Sequence, residues 1–322
     1  MARSWHCVAL ALLTAAMPLA AQGDPAPAPG TPDTAAAETL EIVPDNTARL
    51  TVPVSIGGHG PYAFIVDTGA ERTAISRELA RELALAPGRT AILHSMTEAR
   101  RVETVLLPGL VVGQRRIADI HAPALSQSHL GAVGLLGVDS LQSQRVEFDF
   151  ARQEMTISPS RRREERWSGD TIVITARSQL GRLILVDASV DGQRVQVVVD
   201  TGAQFTLGNS ALRRRLERRS RLGPVRQIEM LSVTGGVFTA DATVARQVQI
   251  GGIDIRDLPI AFSDVHVFRQ LGLADRPAIL LGMDALQLFD RVSVDFANRR
   301  VRVMMPESSQ FEGGRQLASL RR

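Results

Sequence analysis

The stretch Phe64-Ile65-Val66-Asp67-Thr68-Gly69-Ala70, with its tail Glu71-Arg72-Thr73, is written a second time as Val197-Val198-Val199-Asp200-Thr201-Gly202-Ala203, with its tail Gln204-Phe205-Thr206. Each copy leads an apolar, β-branched strand into a short polar turn, where the glycine frees the backbone to reverse. One Asp-Thr-Gly tripeptide is a weak signal in a chain of 322 residues. Two, each behind a strand and each followed by Ala and then Thr at the same offset, mark a duplication.

The sequence on either side of the two copies repeats as well. Leu50 to Ile56 alternates, Gly57 to Pro61 turns, and Tyr62 to Val66 returns into Asp67. In the second half, Leu183 to Val190, Asp191-Gly192 and Val195 to Val199 give the same hairpin, with Asp-Gly supplying the two positive-φ positions of a tight turn. Gly58-x-Gly60-x-x-Ala63 formally matches a dinucleotide fingerprint, but that motif must open a helix and here a strand follows. Behind each loop, helices are expected over Ser76 to Leu85 and Asn209 to Leu216, with Leu79/Leu83 and Leu212/Leu216 spaced i, i+4 on one face. Each half then carries Leu-Leu-Gly-x-Asp-x-Leu, at Leu135 to Leu141 and at Leu280 to Leu286. Asp139 and Asp284 in those segments read as local helix caps. The interval from Asp200 to Gly282 exceeds that from Asp67 to Gly137, so the second half has gained length behind its loop.

The paired loops resemble the active-site loops of aspartic peptidases, in the Asp-Thr-Gly-Ala form of the retropepsin-like group. The resemblance covers nearly all of residues 40–305 and implies a mainly all-β, bilobal acid-protease fold made of two homologous β-barrel lobes with short helices. It implies that Asp67 and Asp200 form one catalytic dyad, with Thr68, Gly69, Ala70, Thr201, Gly202 and Ala203 shaping the two loops. Thr68 and Thr201 would interlock them, and Gly137 and Gly282 would let the Leu-Leu-Gly segments pass close beside them. The same resemblance calls for hairpin flaps over an extended peptide. Ser232 to Phe238 fits a flap tip, with Thr234, Gly235 and Gly236 at its turn, while the matching region Leu93 to Val102 has no glycine. The chemistry explains why the motif comes twice. Cleaving a peptide bond with neither metal nor covalent nucleophile takes one group to deprotonate water and another to protonate the carbonyl, and two adjacent carboxylates share the single proton that this needs.

Domain limits follow from these repeats: a first lobe over 40–158, a linker over 159–170, a second lobe over 171–305 and a polar tail over 306–322. The linker reads as exposed from its Pro, Gly and charge. Residues 1–23 read as an export signal, with Arg3 ahead of an apolar run and small residues at Ala21 to Gly23, and 24–39 as a Pro/Ala-rich spacer with a propeptide as the alternative. The expected location is periplasmic or secreted. The one cysteine, Cys7, lies within that signal, which leaves no disulfide framework.

Composition excludes more than it assigns. The net charge is +3 and the isoelectric point about 10.1, a value set by a basic set that is all Arg and therefore no sign of nucleic-acid binding. The Arg-rich run from Arg213 to Arg221 reads as a solvated face, with an acidic partner or anionic lipid as its alternative. The histidines lack the spacing of a zinc site, and no Gly-x-Ser-x-Gly elbow occurs, so neither a metal nor another cofactor is expected. The expected partner is a peptide or protein substrate, with no nucleic acid and no membrane span after signal removal. The protein is expected to be a monomer, since both aspartates lie in one chain. A non-catalytic periplasmic peptide-binding module of the same fold, and a dimer with composite sites, are the alternative readings.

Overall fold

The computed structural model describes residues 38–306, apart from 42, 45–48, 114, 118, 162, 165, 168–169 and 186, together with 316–317. The expected signal, nearly all of the spacer and most of the polar tail lie outside the described residues. All described residues belong to one compact unit. The chain is mostly β, in two lobes with short helices.

In the first lobe, Leu50–Ile56 and His59–Val66 pair as the expected hairpin, with Gly57 and Gly58 both at positive φ (56° and 87°). The strand into Asp67 then runs parallel to Gly134–Leu136, which pairs on its other side with Ala74–Ser76. The second lobe repeats this: Gln196–Val199 runs parallel to Ala278–Leu281, which pairs with Leu207–Gly208. Asp191 and Gly192 adopt φ of 46° and 71°, as an Asp-Gly turn between right-twisted strands requires. The strands that deliver the two aspartates are buried on both faces. Phe64 and Val66 point into a core shared by both lobes and Ile65 into a smaller cluster, and in the second lobe Val197 and Val199 alternate with Val198 in the same way.

The lobes share one sheet. Gln144–Asp149 of the first lies antiparallel to Arg291–Asp295 of the second, with Val146 opposite Val294 and Phe148 opposite Val292. On one side follow Glu154–Pro159 and Glu38–Glu41, on the other Arg300–Met304 and Thr171–Gln179. Glu38 and Thr39 therefore belong to this sheet and not to the spacer. The linker is only partly exposed. Arg161, Arg163 and Arg166 are open to solvent, but Trp167 donates its indole N–H to Glu147 at 3.1 Å and lies 4.0 Å beneath the Arg302 guanidinium. Glu164 reaches the same Arg302 at 3.2 Å. The aromatic and the carboxylate outweigh the turn-forming composition and pin the segment across the shared sheet.

The first helix spans Arg77–Glu82, shorter than the periodicity suggests. Ser76 caps it by accepting the Leu79 N–H at 3.0 Å, and Ala84 leaves it at φ 47° just ahead of Pro87. The second spans Ser210–Arg218, capped by Asn209, and runs two residues further than expected, with Arg215 and Arg218 at its negative end. Arg213 of this helix pairs with Glu217 at 2.8 Å and with Asp241, while Arg214, Arg215, Arg218 and Arg219 are exposed.

Candidate active site

The two Asp-Thr-Gly-Ala loops meet back to back beneath the cleft. Thr68 donates its hydroxyl to the Val199 carbonyl at 3.0 Å and accepts the Thr201 N–H at 3.1 Å. Thr201 mirrors this, donating to the Val66 carbonyl at 2.7 Å and accepting the Thr68 N–H at 3.0 Å. Both threonines are buried, so no water competes for these four bonds.

Each carboxylate is held by its own loop. Asp67 Oδ1 accepts the N–H groups of Gly69 and Ala70, both at 2.8 Å, and Asp200 Oδ1 those of Gly202 and Ala203 at 3.0 and 3.1 Å. Each then lies against the glycine of the opposite loop. A β-carbon on Gly69 would collide with the Asp200 carboxylate, and one on Gly202 with that of Asp67. The two acids therefore share one floor of the cleft, a cavity of about 710 Å³. Burial pushes the Asp200 carboxyl up to about 7, helped by the charge of Asp67 and opposed by Arg182 and the loop N–H groups. Asp67 is raised too, chiefly by burial, against the pull of the Gly69 N–H and Arg182. Two acids pushed upward side by side hold one proton between them over a wide pH range.

Gly137 and Gly282 lie where a side chain cannot fit: a β-carbon at Gly137 would meet the Arg72 carbonyl, and one at Gly282 would sit 2.7 Å from the Phe205 carbonyl carbon. These glycines, not the aspartates two residues on, are the N-caps of the short helices Val138–Leu141 and Met283–Leu286. The cap role expected for Asp139 and Asp284 is therefore corrected. Asp139 Oδ1 accepts the N–H and hydroxyl of Thr73 at 2.9 and 2.7 Å, and Asp284 accepts those of Thr206 at 3.0 and 2.8 Å. Each aspartate ties its own loop's closing threonine to the glycine segment. The recurring Thr three residues after Ala was the available signal.

Two further features escaped the sequence reading. Arg182, only 2% exposed, lies at the start of the strand Arg182–Leu185 in the second lobe and donates from Nε to the Gly69 carbonyl of the first. Its Nη1 reaches Gln270 at 3.3 Å, and its charge acts on both catalytic candidates. The second is the first flap. Ala91–His94 and Ala99–Val102 form a hairpin whose turn is closed by Ser95 N–H to the Glu98 carbonyl at 2.8 Å, with the Ser95 hydroxyl bracing Glu98 in place of a glycine. The flap tips cross: Met96 packs on the second lobe's cluster and Val233 on the first lobe's. Thr234 donates to the Ser95 hydroxyl at 3.1 Å, Gly235 turns at φ 85° beside His129, and Gly236 comes close to Thr97. Met96 also accepts the His266 N–H at 2.6 Å, and the His94 and His266 rings meet at 2.8 Å.

Fold and site together define a class: a single-chain, two-lobed protein with an aspartic dyad built from one Asp-Thr-Gly loop per lobe. Residues 52–143 match the family model for the gag-polyprotein putative aspartyl proteases, and residues 186–285 match that for aspartyl proteases. The chain thus matches aspartyl protease family models twice in tandem, once per lobe, which is consistent with a two-lobe, retropepsin-like aspartic peptidase. No curated protein matches it significantly. Among the described residues no cluster of His, Cys, Asp or Glu could hold a metal ion, and no helix is long and apolar enough to cross a membrane.

Proposed function

We propose that this protein is an aspartic endopeptidase in which a water held between Asp67 and Asp200 attacks the scissile carbonyl of an extended peptide. The supporting observation is the pairing itself: each carboxylate rests on the other loop's glycine, and Oδ1 of each is saturated by two loop N–H groups. Oδ2 of each receives no hydrogen bond from the described residues, so the free oxygens are available to water and substrate. The ionised member takes a proton from the water while the protonated member gives one to the carbonyl oxygen. The tetrahedral intermediate then collapses as the nitrogen of the leaving amine is protonated, and the dyad returns with one proton. Thr68 and Thr201 keep the loops from separating as charge moves between them.

A binding module gains nothing from two acids held side by side, because placing like charges together in a buried site is costly. The test is cleavage of a peptide library by purified protein: Asp67→Asn and Asp200→Asn should each abolish it, and a statine-type analogue should inhibit it. Cleavage surviving either substitution overturns the dyad. Activity is assigned to the monomer, which sedimentation of the active species checks, and export to the leader at 1–23, which fractionation and N-terminal sequencing of the mature chain check.

A further inference from the structure

The cleft does not end at its apolar wall. Leu125 and Val233 line both the main cavity and a second one of about 320 Å³, whose far side carries Arg77, Arg100, Arg101 and His129. Arg77 opens the helix behind the first loop, Arg100 and Arg101 lie on the returning strand of the first flap, and His129 belongs to the short helix Gln127–Leu130. All four are exposed. Among the described residues none of the three guanidiniums enters an ion pair. One acid, Glu103, lines the pocket, and a second, Glu78, stands beside Arg77 and accepts the Gln127 N–H at 3.0 Å. Three guanidiniums against these two carboxylates leave the pocket with an excess of positive charge.

The matching positions of the second lobe lack these arginines. The first flap turn closes at Glu98 and the second at Gly236. Two and three residues past these points stand Arg100 and Arg101 in the first flap, but Phe238 and Thr239 in the second. The residue after the helix cap is Arg77 behind the first loop and Ser210 behind the second. Duplication has preserved the catalytic floor while making one rim cationic.

We propose that this pocket is a subsite for a carboxylate side chain of the bound peptide, so that the protein selects sequences carrying Asp or Glu on one flank of the scissile bond and not on the other. Guanidinium forks bind carboxylates through paired N–H donors, and several around one concavity give direction as well as affinity. This rests on the cleft's being a peptide site, so its test must not depend on turnover.

The experiment measures binding of a fluorescent peptide series to the Asp67→Asn protein, with one Glu, Gln or Lys moved through every position. Glu at one or two adjacent positions on a single flank should tighten binding about tenfold over Gln. Lys should weaken it, and the gain should shrink at high salt and vanish in protein also carrying Arg100→Gln and Arg101→Gln. If that protein does not fold, the salt dependence and the Lys series decide. Equal binding of Glu and Gln at all positions, preference on both flanks, or a gain that survives loss of both arginines overturns the proposal. Acidic preference in binding without cleavage by the unmodified protein keeps the subsite and removes the peptidase reading. Cleavage without preference does the reverse, and a series in which nothing binds overturns both.

Discussion

Thr68 and Thr201 each accept the other's backbone N–H, at 3.1 and 3.0 Å, while each hydroxyl proton goes to a carbonyl of the opposite strand. Thr201→Val keeps the shape and deletes the oxygen, leaving the Thr68 N–H and the Val66 carbonyl buried without partners. At about 1–3 kcal/mol for each orphaned group, denaturant unfolding should show a loss of roughly 2–6 kcal/mol. Thr201→Ser keeps the oxygen and should cost about 1 kcal/mol for the methyl group.

The dyad sets a pH dependence whose sign can be worked out. Asp200 is raised from 3.8 to about 7, so the folded state binds a proton that the unfolded state releases. That contribution is fully present below pH 3.8 and is lost as pH rises through about 7. Asp200→Asn should therefore flatten stability against pH between 3.8 and about 7, read from melting temperature across a buffer series. Peptide cleavage by the unmodified protein should fall as pH rises through about 7 and the shared proton leaves.

Arg182→Gln removes the cation that restrains both carboxyl groups and breaks the tie to Gly69. The alkaline limb of the cleavage profile should move to higher pH and kcat should fall severalfold. A merely structural role would lower kcat without displacing the limb.

Gly137→Ala places a methyl group into the Arg72 carbonyl, a backbone atom fixed by the loop. Overpacking of this kind costs about 1–3 kcal/mol. The position leaves nowhere for the methyl to go, so calorimetry should find the upper end of that range, with cleavage reduced further than stability explains. Ala at Gly58, which has open space around it, would act only through its positive φ.

The first flap is linked to the second lobe through His94 and His266. His266 is pushed below its ordinary 6.5 by burial first, then by His94 and Arg269. Its contribution is present above pH 6.5 and is lost as pH falls through the lowered value. The protection factor of the His266 amide, which is bonded to Met96, should fall on acidification. His94→Gln should lessen that fall.

The features legible in the sequence were those written locally and twice. Phe64 to Ala70 and Val197 to Ala203 carry strand, turn and acid within one short run, and Asp191-Gly192 declares its turn by residue type alone. The unreadable features join distant residues of different kinds. Arg182 meets Gly69 across 113 residues and His94 meets His266 across 172, and neither pair obeys a period or motif. Arg182 did leave a trace: Arg49 stands at the same interval before Asp67, so superposing the halves would have marked both. Trp167 misled through its neighbours, because turn-forming composition says nothing about one aromatic ring that finds a surface.

The antiparallel pair Val146/Val294 and Phe148/Val292 governs the order of assembly. Neither half can complete its own sheet, since the central partner of each arrives from the other end of the chain. Closing loops that long is slow, and contacts so remote in sequence form late. The site should therefore appear in a single step with the whole fold, so that a nascent chain still lacking its last strands has no complete cleft.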